Sequence, residues 1–221
     1  MLELKNLSKN YTLDKKTIHA LKNLTLNIKQ GDFISIVGPS GSGKSTLLNL
    51  IGGLDKPTSG LILFNNQNIL TFNDSQLSAY RNFNIGFVFQ QFHLEEHLTI
   101  FENTALPLYF SPDSNHNKIN RLVNKALKDV DIFDRSNHRP SEVSGGQAQR
   151  AAIARALVNQ PSIILADEPT GDLDPKNAAE ILKLLKKLQK EKNITLIIVT
   201  HDETIANAAD KIIKLKDGVM I

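Results

Sequence analysis

The residues Gly38-Pro39-Ser40-Gly41-Ser42-Gly43-Lys44-Ser45 carry the densest chemistry in this chain. They fit the spacing G-x-x-x-x-G-K-[ST], in which a glycine-rich turn aims backbone N–H groups at a phosphate. The flanks suit that task. Phe33 to Val37 reads as a buried strand, and Ser45 to Ile51 as the start of a helix whose positive end favours an anion. Lys44 would reach the β- and γ-phosphates of a nucleotide, and the Ser45 hydroxyl would hold Mg²⁺.

Two further stretches complement that loop. Asp167 follows the apolar run Ile163-Ile164-Leu165-Ala166, where a carboxylate beside a phosphate site suits a water-mediated Mg²⁺ contact. Glu168, one residue on, is placed to polarise an attacking water. Val143-Ser144-Gly145-Gly146-Gln147 opens a helix with small residues, so backbone N–H groups and the Ser144 hydroxyl can approach an anion. An N-cap with a glycine turn would explain Ser144 equally well, but not the spacing of Gln147, Gln149 and Arg150. His93-Leu94-Glu95-Glu96-His97 also fits the zinc-protease spacing H-x-x-E-H. No third ligand accompanies it, and an exposed loop with solvated histidines is the plainer reading.

The elements that must hold these groups alternate. Residues 2–7 and 18–28 read as antiparallel strands with Tyr11 in the turn between them. Strands are also expected at 33–37, 61–64, 84–89, 162–166, 195–199 and 211–215, and helices at 73–82, 119–131, 144–158, 176–191 and 203–208. Leu122, Ala126 and Val130 would share one helix face, and Ile181, Leu184, Leu185 and Leu188 another. A polar stretch runs from 111 to 118. The alternation implies an α/β fold with a mostly parallel core sheet and ligands at strand C-terminal ends. The phosphate loop, Gln90, Asp167-Glu168 and His201 all fall at such ends. Segment 91–158 reads as a mostly helical insertion into a core formed by 1–90 and 159–221.

Composition narrows the setting. Hydrophobic residues are 41% and charged residues 22% of the 221, ordinary for a globular protein, and the net charge is a mild +3. The lysines at 183, 186, 187 and 190 read as a solvated helix face rather than a nucleic-acid patch. The absence of cysteine excludes disulfides and thiolate chemistry. No signal-like segment or run of about 18 apolar residues is present, so a cytosolic chain is expected, with any membrane role supplied by a partner.

Ser-Gly-Gly-Gln-x-Gln-Arg resembles the signature motif of ATP-binding cassette (ABC) ATPases, and the likeness extends in order along nearly the whole chain. It implies a P-loop cassette with an N-terminal antiparallel β part and an inserted helical subdomain, here about 91–158. In that likeness Tyr11 stacks on adenine, Gly38 to Ser45 with Thr46 is the Walker A loop, and Gln90 is the Q-loop glutamine. Ser144, Gly145, Gly146 and Gln147 form the signature, and Ile164 to Asp167 the Walker B strand. Glu168 is the catalytic glutamate, Asp174 belongs to the D-loop Gly171-Asp172-Leu173-Asp174, and His201 is the switch histidine. The implied ligands are ATP and Mg²⁺, the metal held by Ser45, Gln90 and Asp167. Two copies would pack head to tail, the signature of each closing the Walker A site of the other. Val143 stands where the family usually has Leu, Ala148 where Gln is frequent, and Asp172 adds a negative charge to the D-loop.

Gly52 to Gly60, Ile85 to Phe92 and Glu168 to Asp174 together resemble the MacB/LolD group, which includes FtsE. That likeness implies an ATPase subunit energising a separate membrane permease that docks near residues 91–110, peripheral on the inner face of the cell membrane. The chain ends soon after its last strand, without space for the regulatory domain of several importers, which favours efflux or lipoprotein release. The alternative is an FtsE-like regulatory ATPase that signals through a membrane partner. A DNA-repair or translation ATPase would need coiled coils or tandem cassettes, and no nucleic-acid partner is expected.

Overall fold

The computed structural model describes residues 1–13, 16–111 and 115–221; part of the polar stretch expected at 111–118 lies outside the described residues. The strands are β1 (Leu2–Leu13), β2 (Lys16–Ile28), β3 (Phe33–Val37), β4 (Ser59–Phe64), β5 (Gln67–Asn68), β6 (Ile85–Phe89), β7 (Ile163–Asp167), β8 (Thr195–Val199), β9 (Lys211–Lys216) and β10 (Val219–Met220). The helices are α1 (Lys44–Ile51), α2 (Asp74–Asn84), α3 (Ile100–Ala105), α4 (His116–Asp129), α5 (Gly145–Leu157), α6 (Pro175–Lys192) and α7 (Glu203–Asn207). The chain divides into two compact units, one of residues 1–81 with 195–221, the other of residues 82–194.

In the first unit, alternation along β1 and β2 buries Leu2, Leu4, Leu7, Leu21, Leu24 and Ile28, and these strands with β4 and β5 form an antiparallel sheet in the order β2-β1-β4-β5. Each such side chain contributes about 1.5–3 kcal/mol on burial. Tyr11 is not in the turn that the sequence suggested. The strand runs on to Leu13 and Tyr11 pairs with Ile18, because β1 absorbs register shifts between Leu4 and Asn10 and then resumes pairing. The β-branched and aromatic residues beyond the shifts favour that continuation.

The same unit holds a second group of strands. β3 lies between β8 and β9, parallel to both, with Ile34 opposite Ile197 and Lys211. Phe33, Ile34 and Ile36 are buried, as the near-continuous apolar run of a covered parallel strand requires. α1 buries Leu47, Leu48, Leu50 and Ile51, and Tyr80 donates to Ile51 O at 2.8 Å at its C-terminal end.

In the second unit β6 and β7 run parallel from Ile85 opposite Ile163 to Phe89 opposite Asp167. α4 begins three residues earlier than the sequence suggested, because Asn115 caps it by accepting from Lys118 N. Its buried face is Ile119, Val123, Ala126 and Leu127, while Leu122 is only half-buried. α5 is rich in small residues, and Ala148, Ala151, Ala152 and Ala154 are buried. α6 buries Ile181, Leu184, Leu185 and Leu188 as its periodicity predicts, and its terminal Lys190 and Lys192 suit the negative helix end.

Candidate functional site

The phosphate loop joins β3 to α1 in the first unit. Gly43 is the residue before the helix, in the left-handed region at φ 101°, and no side-chain oxygen caps α1 among the described residues. No acidic residue stands in the first turn, so the first-turn N–H groups and the dipole are left for an anion. A Cβ at Gly43 would lie 2.3 Å from Ala20 O, so the loop sits against β2 with no space for a side chain. Lys44 Nζ reaches back over the loop and donates to Gly38 O at 2.9 Å and Pro39 O at 3.1 Å. The ammonium thus stands at the loop mouth on bonds that a phosphate oxygen can replace. The Ser42 hydroxyl is buried and has no hydrogen-bond partner among the described residues. These features fit a polyphosphate: a concave backbone, a cation at its rim and no competing carboxylate.

Tyr11 is held by a network with no obvious local signature. Its hydroxyl donates to Asp55 Oδ2 at 2.8 Å, while Lys9 Nζ donates to Asp55 Oδ1 at 2.6 Å and Lys56 O at 2.7 Å. Lys9 Nζ also stands 4.7 Å from the centre of the Tyr11 ring. Burial would raise the Asp55 carboxyl, but the hydrogen bonds from Lys9, Tyr11 and the Lys56 backbone hold it below the ordinary aspartate value. Burial and the Asp55 carboxylate push the Tyr11 phenol up. The ring is still 39% exposed, enough to present a surface to a planar base. His201 is exposed after β8, beside Asp202, which caps α7 by accepting from Thr204 N at 2.7 Å.

In the second unit, the register of β6 and β7 sets Phe89 opposite Asp167, so Gln90 and Glu168 leave neighbouring strands at one level. Asp167 and Glu168 are half-buried, and Glu168 occupies the left-handed region at φ 48°. A non-glycine residue there costs about 1–3 kcal/mol, as residues held for function often do. Gln90 Nε2 donates to Asp172 Oδ1 at 2.7 Å. Asp174 caps α6, accepting from the N–H groups of Lys176 and Asn177 and from the Asn177 side chain. The Asn177 side chain first, and then the backbone donors, keep its carboxyl below the ordinary value.

The Ser144 stretch opens α5 through a capping box. Gln147 N donates to Ser144 Oγ at 3.3 Å, and Ser144 N to Gln147 Oε1 at 3.0 Å. At Gly146 a Cβ would lie 2.6 Å from Asn177 Oδ1, so the Asn177 side chain would have to shift, whereas at Gly145 the nearest neighbour is 3.5 Å away. The spacing that the cap alone left unexplained has physical reasons. Gln149 is fully buried and donates to Phe89 O and Pro169 O, tying the end of β6 to the segment after β7. Arg150 donates to Val130 O at 2.9 Å and pairs with Glu180 at 3.2 Å. Arg155, which the sequence did not single out, donates to Phe92 O and His93 O and thereby shapes the segment after Gln90. The His93 ring packs edge-on against Phe89 with centroids 5.4 Å apart.

Comparison with known proteins places this geometry among relatives. The family model described as ABC transporter matches residues 21–171. An ABC transporter ATP-binding protein of Methanocaldococcus jannaschii is 50% identical over 222 residues, covering 99% of this chain and 94% of its own. The lipoprotein-releasing system ATP-binding protein LolD of Acinetobacter baylyi is 44% identical over 221 residues, covering 100% of this chain and 97% of its own. A solved dimeric cassette in a post-hydrolysis state, bound to ADP and Pi, superposes with a TM-score of 0.89 at 48% identity, covering 99% of this chain and 95% of that one.

Proposed function

The chain belongs to the ABC transporter family as an ATP-binding and ATP-hydrolysing subunit, and on that premise we propose that its two loop-to-helix junctions are complementary halves of an ATP site shared between two copies. One observation carries this reading. α1 and α5 both open on Gly- and Ser-bearing loops with no acidic side chain in the first turn, so each turns a positive helix end toward an anion. A chain with both halves closes a symmetric pair with two equivalent sites.

Within each site Lys44 and the backbone of Gly38 to Ser45, with Thr46, neutralise the phosphates, and Tyr11 stacks on the base. Ser45, Gln90 and Asp167 would hold Mg²⁺, which when bound draws charge from the phosphoryl group being transferred. Glu168 accepts the proton of the attacking water, and His201 donates toward the γ-phosphate. Ser144, Gly145, Gly146 and Gln147 of the second copy close the phosphate side, and Asp174 orders the turn between Glu168 and α6. The work of the chain is positioning and charge stabilisation.

The dimer would drive a membrane permease of the lipoprotein-release or efflux type, as the name of the LolD relative suggests. No described helix is long and apolar enough to cross a membrane, and a peripheral location on the permease follows from this reading. Docking at 91–110 is supported by two exposed aromatics at its end, Tyr109 and Phe110, the latter 79% exposed. A groove of about 460 Å³ lined by Phe83, Leu108, Ile119 and Leu122 opens in the same unit.

The test is Glu168→Gln with ATP. Hydrolysis should fall by about 100-fold or more, and size-exclusion chromatography should show an ATP-loaded dimer. Lys44→Met should abolish both nucleotide binding and dimerisation. A Glu168→Gln chain that stays monomeric at saturating ATP would refute the shared site.

A further inference from the structure

Asp172 adds a negative charge to the segment Gly171-Asp172-Leu173-Asp174, and the structure gives it a partner. Gln90 Nε2 donates to Asp172 Oδ1 at 2.7 Å, across 82 positions of sequence. A carboxylate only accepts hydrogen bonds, so it selects the NH₂ side of the Gln90 amide and turns Oε1 away from itself. The approach also depends on Gly171. A Cβ there would stand 2.9 Å from Gln90 Cδ and 3.0 Å from Nε2, so any larger residue would push the amide aside.

Both partners are anchored in one frame. Gly171 N donates to Glu168 O at 3.0 Å and Leu173 N to Thr170 O at 3.1 Å, which folds the turn. Gln149 joins Phe89 O, immediately before Gln90, to Pro169 O, just before that turn. Gln90 and Asp172 are themselves exposed, so burial does not fix the amide, and the hydrogen bond must.

We propose that Asp172 is a positioning residue that holds the Gln90 amide with Oε1 presented to the divalent cation of the ATP site. This rests on the reading of Gln90 as a metal-holding residue. Without the Asp172 carboxylate the amide rotates and offers NH₂ hydrogens to the cation for part of the time, which repels it. Asparagine at 172 offers a donor as well as an acceptor, so it can hold either side of the Gln90 amide and should preserve the orientation only in part; alanine holds neither.

The experiment measures Mn²⁺ binding by electron paramagnetic resonance to the full chain with a non-hydrolysable ATP analogue. Alongside it, the Mg²⁺ dependence of ATP hydrolysis is recorded. Asp172→Ala should weaken Mn²⁺ binding by about three- to ten-fold, the equilibrium equivalent of one hydrogen bond. The Mg²⁺ concentration for half-maximal rate should rise by the same factor, with the change in half-saturation rather than in kcat at saturating Mg²⁺. Asp172→Asn should give an affinity between those of the unaltered chain and Asp172→Ala. Gln90→Ala should weaken binding too, and the double variant should be no worse than Gln90→Ala alone. If Asp172→Ala leaves Mn²⁺ affinity intact while Gln90→Ala lowers it, the positioning role is wrong and the Gln90 reading stands. If Gln90→Ala has no effect, the Gln90 reading itself fails. Additive losses in the double variant would show Asp172 acting by its own charge, which also overturns the proposal. Should Asp172→Ala not fold, Asp172→Gly at this exposed turn removes the acceptor in the same way and gives the same comparison.

Discussion

Gly43→Ala, compared with Gly41→Ala, separates two demands that the phosphate loop places on its glycines. Both residues have positive φ, 101° at Gly43 and 77° at Gly41, so alanine carries a backbone penalty at either position, about 1–2 kcal/mol. They differ in space. Nothing lies within 4 Å of a Cβ at Gly41, whereas at Gly43 the Cβ would sit 2.3 Å from Ala20 O and 2.9 Å from Leu21 Cδ2. Ala20 cannot move away cheaply. Its neighbours His19 and Leu21 pair with Asn10 and Lys9 of β1, and two residues on Lys22 N donates to Gly218 O while Gly218 N donates to Ser42 O. Relieving such an overlap in a packed region costs about 1–3 kcal/mol more. Gly43→Ala should therefore destabilise by about 2–5 kcal/mol and Gly41→Ala by about 1–2 kcal/mol. Urea unfolding followed by circular dichroism gives the two values, and a fluorescent ATP analogue gives affinity, which should fall further for Gly43→Ala because the loop must yield. Equal destabilisation by the two variants, within about 0.5 kcal/mol, would refute the steric part of the reasoning and mean that β2 gives way freely.

Other substitutions address the remaining elements. Ser144→Ala should lose about 1 kcal/mol of stability with its cap; it should spare ATP binding by the monomer yet reduce ATP-driven dimerisation in a Glu168→Gln background, as read by light scattering. Arg155→Met leaves the Phe92 and His93 carbonyls without their charged donor and should cost about 2–3 kcal/mol; limited proteolysis should then cut residues 92–99 faster, and an unchanged cleavage rate would count against the role given to Arg155. Because the folded Asp55 carboxyl lies below its ordinary value of 3.8, its contribution is fully present above that value and is lost as pH falls through the depressed one. Melting temperatures followed from about pH 5 to about pH 2.5 should accordingly show a shallower decline in Asp55→Asn than in the unaltered chain.

What the sequence determined by itself is what short spans encode. The loop from Gly38 to Ser45 with its flanking strand and helix, the cap at Ser144 and the amphipathic face of α6 each depend on residues within a few positions of one another. Turn geometry, capping and helical periodicity act over that range. The order of motifs along the chain added the family and with it the expected fold. Tertiary structure decided the partners of the site residues. Tyr11 left its expected turn because β1 shifts register and continues, and it meets Asp55, which is 44 residues away. Gln149 turned out to be a buried tie between two carbonyls, and Asp172 a partner of Gln90 rather than a stray charge. A hydrogen bond between residues far apart in the chain depends on strand register, bulges and the room a glycine leaves, and none of these has a local pattern. The sequence therefore named the groups proposed to handle phosphate, while only the folded chain showed which neighbours orient them.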